Sequence, residues 1–342
     1  MRHTPGPPPV TQPPLTSPFR IADVEVPNRV LLAPLAGIGN WFVRLQARRH
    51  GAGMAVSEMV SSFALAHRNR RTLEEMLRVH PDEGVVSIQL FGSDPDVMRV
   101  AAATAAEAGP ALLDLNMGCP VPKIVKTGAG VALLRDPDLA VAVASAAAEG
   151  SGLPVTVKLR SGIEPGDRSG LALARRLVAD AGVAAIAFHP RAARRQHAGA
   201  PDYELVRELV DALDGSGVPV ILSGGLRSAE LARRAYRESG ADAVMIARGA
   251  LGDPWIFSEL TGRAPRREPA RVVAELDWVL DRASEHWGPE RAARNLRKFY
   301  PWYLERLGIS GSRADRFQRT ERLEDVRELL AEAVRAPVGA SL

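Results

Sequence analysis

The sequence predicts a (β/α)8 barrel, of the TIM type, followed by an all-helical C-terminal domain. Three observations carry this. Eight short apolar or β-branched runs alternate with longer amphipathic stretches over roughly 230 residues, close to the ~250 typical of such barrels. Polar and glycine-rich residues gather just after those runs, at the end of the barrel where sites are built. After Thr261 the strand-like runs stop.

Taken in order, the chain opens on "MRHTPGPPPVTQPPLTSP". That text lacks the apolar core of a signal peptide and reads as a disordered, Pro-rich lead-in over 1–17. "FRIADVEVPN" (19–28) suits a small hairpin closing the barrel's bottom. The eight strand candidates cover 30–35, 53–60, 85–91, 111–117, 154–160, 184–190, 219–224 and 243–249. Each is apolar throughout or β-branched, as a strand buried on both faces must be. "DPDVMRVAAATAAEAG", "DPDLAVAVASAAAEG" and "RSGLALARRLVADAG" open near Asp and close at Gly, the cap chemistry of helices. An open doubly wound sheet would carry a Gly-rich fingerprint after its first strand, and "VLLAPLAGIGN" has none. The barrel is expected over 18–262. "TGRAPRREP" is a linker by composition, and 263–342 is expected to form a separate helical domain.

The single cysteine excludes an intramolecular disulfide and any Cys-rich zinc or iron–sulfur site. It fits a reducing compartment. No run is long and apolar enough to span a membrane, so a cytoplasmic protein is expected. A net charge of +4 permits a polyanionic partner without demanding one. Its distribution says more. Between Arg291 and Arg319 eight basic residues face only Glu305 and Asp315, and the aromatics Phe299, Tyr300, Trp302 and Tyr303 stand among them.

The strand ends present Pro34, Leu35 and Ala36, then Ser57 and Glu58, Gln89, Asn116 with Cys119, Lys158 with Arg160, His189 with Arg191, Gly224 and Gly225, and Arg248 with Gly249. "SGG" and "ARG" after the last two strands are small-residue turns leading into helices. Their free N–H groups can hold a phosphate. Lys158 ends an apolar strand, where an idle ammonium would be costly. It can form a Schiff base, neutralise an anionic cofactor ring, or pair with an acid such as Glu58. Cys119 can be a small core hydrophobe. It also lies beyond the strand, between Gly118 and Pro120, where a thiol can act as nucleophile or proton donor. A thiol is ordinarily protonated near neutral pH, which favours the donor role.

"APLAGIGNWFVR" (33–44), "SEMV" (57–60), "IQLFG" (88–92), "DLNMGCPVPKIVKTGAGVALLRDP" (114–137), "VTVKLRSG" (155–162), "VMIARGALGDPWIF" (244–257) and "RKFYPWYLERLG" together resemble the flavin-dependent tRNA-dihydrouridine synthases, in their bacterial B-type. The resemblance runs from about Phe19 to the C-terminal helices. It implies FMN in the barrel, NADPH or NADH as reductant, a helical tRNA-binding domain, and reduction of uridine, at a D-loop position for the B-type. Pro34, Leu35, Ala36, Gln89, Lys158, His189, Gly224, Gly225, Arg248 and Gly249 would bind FMN. Lys158 would face the N1/O2 side of its ring. Cys119 would give the proton to C5, Asn116 would help hold the uracil, and Lys123 and Arg191 would lie near the RNA. No metal, membrane or protein partner is implied, and a monomer is expected. The chain departs from the family at "HPRAARRQHAGAPDY" (189–203), where "HGRTRxQxYxG" is usual, at "SGG" for "NGD", and at "GIGN" for "GVTD". Other readings are a flavin barrel acting on free pyrimidines, a Schiff-base lyase, and an RNA-binding protein without activity.

Overall fold

The computed structural model describes residues 12–335. The barrel's floor is an antiparallel hairpin, β1 (Phe19–Ile21) with β2 (Val24–Val26). Its buried Phe19, Ile21 and Val26 meet inward-pointing Leu31, Met54, Leu112, Ala185, Ile221 and Ala243. The barrel is therefore filled, not hollow, as the taper of an eight-stranded ring requires.

The ring uses β3 (Val30–Leu32), β4 (Met54–Val56), β6 (Val85–Phe91), β7 (Leu112–Met117), β8 (Val155–Arg160), β9 (Ala185–His189), β10 (Val220–Ser223) and β11 (Ala243–Ile246). Every pairing is parallel; β11 returns to β3 and β4 pairs with β6, closing the circle. A two-residue β5 (Val60–Ser61) runs along the end of β6.

The single strand expected over 53–60 is thus broken. Ser57–Met59 leave the ladder between β4 and β5. Ser57 N–H still donates to Ser87 O at 2.9 Å, but its own hydroxyl accepts the Gln89 N–H at 2.9 Å. A side-chain oxygen has replaced the backbone acceptor, and the bulge turns Glu58 out toward the mouth.

Around the ring run α1 (Trp41–Arg49), α2 (Ser62–Ala66), α3 (Pro95–Ala106), α4 (Pro122–Val125), α5 (Pro137–Ser151), α6 (Ser169–Ala181), α7 (Glu204–Ala212), α8 (Ala229–Ser239) and α9 (Trp255–Leu260). Asp94 and Asp136 cap α3 and α5 by accepting the Val97 and Leu139 N–H groups at 3.0 Å. α5 and α6 stop at Gly152 (φ 64°) and Gly182 (φ 62°), in the left-handed region a Cβ resists.

Beyond the barrel lie α10 (Pro269–Trp287), α11 (Pro289–Leu296), α12 (Tyr300–Arg306), α13 (Gly311–Arg319) and α14 (Leu323–Arg335). Their core is continuous with the barrel's outer layer, so the separateness expected for 263–342 does not extend to packing. Gln46 of α1 donates to both Glu275 and Tyr303 at 2.9 Å, and Phe42 meets Trp287 edge-on at 5.5 Å. The expected aromatics of the basic tail belong to this core: Phe299, Tyr300 and Tyr303 are buried.

The lead-in needs correcting. Residues 1–11 lie outside the described residues. Residues 12–17, also expected to be disordered, are docked on the barrel. Leu15 is buried, Arg29 N–H donates to Leu15 O, and the Tyr236 hydroxyl donates to Pro13 O, each at 2.9 Å. Apolar burial and satisfied carbonyls outweigh the Pro-rich composition there.

Candidate active site

The C-terminal rim gathers nearly all of the residues singled out in the sequence. On one side β6, β7 and β8 place Gln89, Asp114, Asn116, Lys158 and the Cys119 loop in adjacent register; Gln89 stands opposite Asp114, and Asn116 opposite Lys158. Gln89 Nε2 donates to Asp114 Oδ2 at 2.6 Å, and Gln89 Oε1 accepts from Asn116 Nδ2 at 2.9 Å. Asn116 Oδ1 in turn accepts the Cys119 N–H at 2.9 Å and the Gly118 N–H at 3.3 Å. A buried carboxylate is thereby linked, amide by amide, to the backbone that carries the thiol. Gly130 (φ 64°) lets the following segment close under Cys119, since a Cβ there would lie 2.6 Å from Cys119 O. The thiol is half-buried at the rim, a free cysteine.

Asp114 is fully buried beneath this chain. Burial raises its pKa to about 6, against hydrogen bonds from Gln89 and Thr156 and the charge of Lys158. Lys158 shows the converse. Burial, then Arg160, lowers its pKa to about 8, against the pull of Asp114 and Cys119. At neutral pH it is still mostly a cation, without a carboxylate within 4.0 Å among the described residues. The Glu58 pairing considered for it is overturned. Glu58 instead accepts the Gly37 N–H at 2.7 Å and faces Lys298, whose Nζ donates to Gly37 O.

The opposite side is built from β9, β10 and β11. His189 is buried; burial, then Lys158, Arg160 and Arg191, drives its pKa far down and holds it neutral. Its Nε2 lies 3.2 Å from Arg191 Nη1 and accepts that bond, so Nδ1 carries the ring proton. Gly224 (φ 96°) and Gly225 (φ 80°) form the turn after β10. A Cβ on Gly224 would sit 2.2 Å from His189 Cδ2, and one on Gly225 2.5 Å from Pro201 Cγ. Only glycine fits either place. Gly249 is closed the same way by Leu226 O at 2.5 Å.

Guanidiniums crowd this side. Burial, then Arg227 and Arg191, lowers the pKa of Arg248; burial and Arg227 lower that of Arg191. His197 is pushed down to about 4, by burial and then by Arg248, Arg160, Arg191 and Arg227. Among the described residues no carboxylate lies within 4.0 Å of Arg191, Arg227 or Arg248. Uncompensated positive charge beside a glycine turn can attract a phosphate-like anion.

Some placements differ from expectation. Arg191, expected near the RNA, is buried, with Nε and Nη2 donating to Gly199 O at 3.1 and 2.8 Å. It belongs to the anion side. Leu35 is buried in the core, so at Pro34–Ala36 the backbone, not that side chain, is offered to the mouth. Lys123 is exposed on α4, behind the Cys119 loop. Arg160 was not singled out as a binding residue, yet it ties the two sides together. Its Nε donates to Gly118 O and its Nη1 to Gln196 O, both at 3.0 Å. The signal was present: in "VKLR" positions two apart on a strand share a face.

The dihydrouridine synthase (Dus) family pattern matches residues 31–336. A tRNA-dihydrouridine synthase B of Pseudomonas aeruginosa is 36% identical over 323 residues, 92% of this chain and 96% of its own. One from Pectobacterium carotovorum is 35% identical, over 93% of this chain and 98% of its own. Among solved structures, a 2-naphthoyl-CoA reductase overlaps 73% of this chain and 52% of its own, with TM-score 0.58 and 14% identity. Morphinone reductase overlaps 76% of this chain and 94% of its own, with TM-score 0.51 and 17% identity. These two likenesses establish the shared barrel fold. The matched pattern and the relatives, spread over nearly the whole chain, place this protein in the dihydrouridine synthase family, among its bacterial B-type members.

Proposed function

We propose that this protein reduces uridines in tRNA to 5,6-dihydrouridine, with FMN as cofactor, NADPH as reductant and Cys119 as the proton donor to C5. The observation that carries the reading is the Asp114–Gln89–Asn116 chain, which ends on the Cys119 N–H at 2.9 Å. A general acid must be held at a fixed point. Here the loop bearing the thiol is anchored to the barrel's interior.

The residues present fit FMN. The Gly224–Gly225 turn, with Arg227, Arg248 and Gly249, would hold its phosphate. Lys158 would sit at the N1/O2 side, where its cation favours a negative ring. His189, Gln89 and the backbone of Pro34–Ala36 would complete the enclosure. Bound and reduced, FMN supplies the hydride for C6 of the uracil. Asn116 keeps one Nδ2 hydrogen free of strong partners, its nearest neighbour being Met59 Sδ at 3.7 Å, and would offer it to the base. Cys119 then donates its proton at C5. Lys158 keeps its own proton at working pH and serves as fixed charge. The target base must leave the tRNA stack to reach a barrel mouth, and Lys123 would meet the backbone around it.

The test is direct. Purified protein with FMN, NADPH and unmodified tRNA is expected to yield tRNA nucleosides heavier by two hydrogens. A flavin-loaded protein that leaves tRNA unchanged but oxidises NADPH with free pyrimidines would replace the tRNA reading by the small-molecule one.

A further inference from the structure

Of the aromatics in the basic tail, Phe299, Tyr300 and Tyr303 are core and Trp302 is partly buried against it. At the mouth one large aromatic is left out. Phe63, in α2, is 63% exposed, although burying such a ring is ordinarily favourable. Its position is nonetheless fixed. It stacks on His67 with ring centroids 4.0 Å apart and 29° between planes, and His67 Nδ1 lies 2.8 Å from Phe63 O. Two flat rings thus stand preformed in solvent.

Basic residues and the thiol loop lie close by. Gly92 packs so tightly on α2 that a Cβ there would lie 2.1 Å from Ser62 Oγ. The next residue, Ser93, donates its hydroxyl to Thr127 O at 2.7 Å, which ties α2's neighbour to the segment just after α4. Exposed Val121, Lys123 and Lys126 lie just before it, within and at the ends of α4. On the other flank Arg68 is exposed and holds a left-handed backbone (φ 49°). Among the described residues, Arg68, Lys123 and Lys126 have no carboxylate within 4.0 Å. Arg71 pairs with Glu75 at 3.4 Å, and Glu75 also accepts from Arg291 of α11 at 2.9 Å. Glu75 thus links the segment after α2 to the basic helices.

We propose that the Phe63–His67 stack, with Arg68, Lys123 and Lys126, is an RNA-docking surface of the barrel itself, on which an unstacked base beside the target uridine comes to rest. The proposal rests on the tRNA reading above. Extruding one nucleotide strips its neighbour of a stacking partner, and an aromatic face replaces it. Arg68, Lys123 and Lys126, none of them held by a carboxylate within 4.0 Å among the described residues, suit the flanking phosphates. An apolar protein anchor would need a wider apolar patch than Phe63 and Val121 provide.

The experiment is tRNA binding by the flavin-loaded full chain, measured by fluorescence anisotropy at several salt concentrations. Phe63→Ala is expected to weaken binding about 5- to 150-fold, the range that the loss of one stacked base implies. Its salt slope should stay as in the wild type, and Phe63→Trp should restore affinity. A combined Arg68→Ala, Lys123→Ala, Lys126→Ala protein should instead lose about two units of salt slope. The flavin spectrum reports folding of every variant. Wild-type affinity in Phe63→Ala at all salts would overturn the docking surface and leave the tRNA reading standing. Failure of the wild type itself to bind tRNA would overturn both.

Discussion

On one side of the mouth, Asp114, Gln89, Asn116 and the Cys119 loop are joined by hydrogen bonds of 2.6 to 2.9 Å. On the other, Arg191, Arg227 and Arg248 stand near one another with no carboxylate among the described residues to offset them. The first side is satisfied as it stands. The second carries charge that only an anion would offset; burial, and then neighbouring guanidiniums, lower the pKa of Arg248 and of Arg191. Under the proposed function, the difference follows from the two tasks. A proton donor must be positioned by the protein alone. A phosphate site can carry surplus charge that the ligand's own charge later offsets.

The largest effect should come from the satisfied side. Cys119→Ala is expected to cut dihydrouridine formation by about 10²- to 10⁴-fold, the usual contribution of general acid catalysis. Because the network ends on the backbone of residue 119, flavin retention should not change. Loss of flavin in that variant, read from the visible spectrum, would show that the two sides are not independent.

Gly224→Ala breaks the other side. A Cβ at φ 96° would also press 2.2 Å from His189 Cδ2. The cost should be about 1–3 kcal/mol of stability, seen as a lower melting temperature, together with release of the cofactor. An alanine protein that melts and binds flavin as the wild type does would remove the glycine turn from the phosphate site.

The smallest effect lies at Lys158, on β8 beside the thiol network. Its pKa of about 8 falls below the ordinary 10.5 because the fold penalises the cation. Between pH 8 and 10.5 the unfolded chain keeps a proton that the folded one has lost, so stability of the flavin-free protein should rise with pH. Reduced-flavin affinity should move the opposite way and fall above pH 8 as the cation disappears. Lys158→Met should flatten both slopes. Two slopes of the same sign would show that Lys158 does not face a negative ring.

Much of this was legible in the sequence, for identifiable reasons. Parallel strands buried on both faces are rich in apolar and β-branched residues, so "VVSIQLF" and "VTVKLR" stand out. Helix caps are local, and Asp94 and Asp136 act where their positions suggest. The break at Ser57–Met59 was not legible. It depends on a hydroxyl meeting an N–H of a strand 32 residues away. The docking of residues 12–17 was hidden for a similar reason: its partners, Arg29, Tyr236 and Ala241, are remote in the chain.

The sequence by itself determined the barrel, its order of elements and the identity of the groups at its mouth. Those rest on side-chain periodicity, local capping and the types of residue standing at strand ends. Only the tertiary structure decided what each group is occupied with. Asn116 holds the thiol loop, Arg191 lies under the 190s loop, Glu58 turns to Gly37, and the tail's Phe299, Tyr300 and Tyr303 are core while Phe63 stays in solvent. Hydrogen bonds, burial and charge between distant segments settle such matters, and a linear pattern does not carry them.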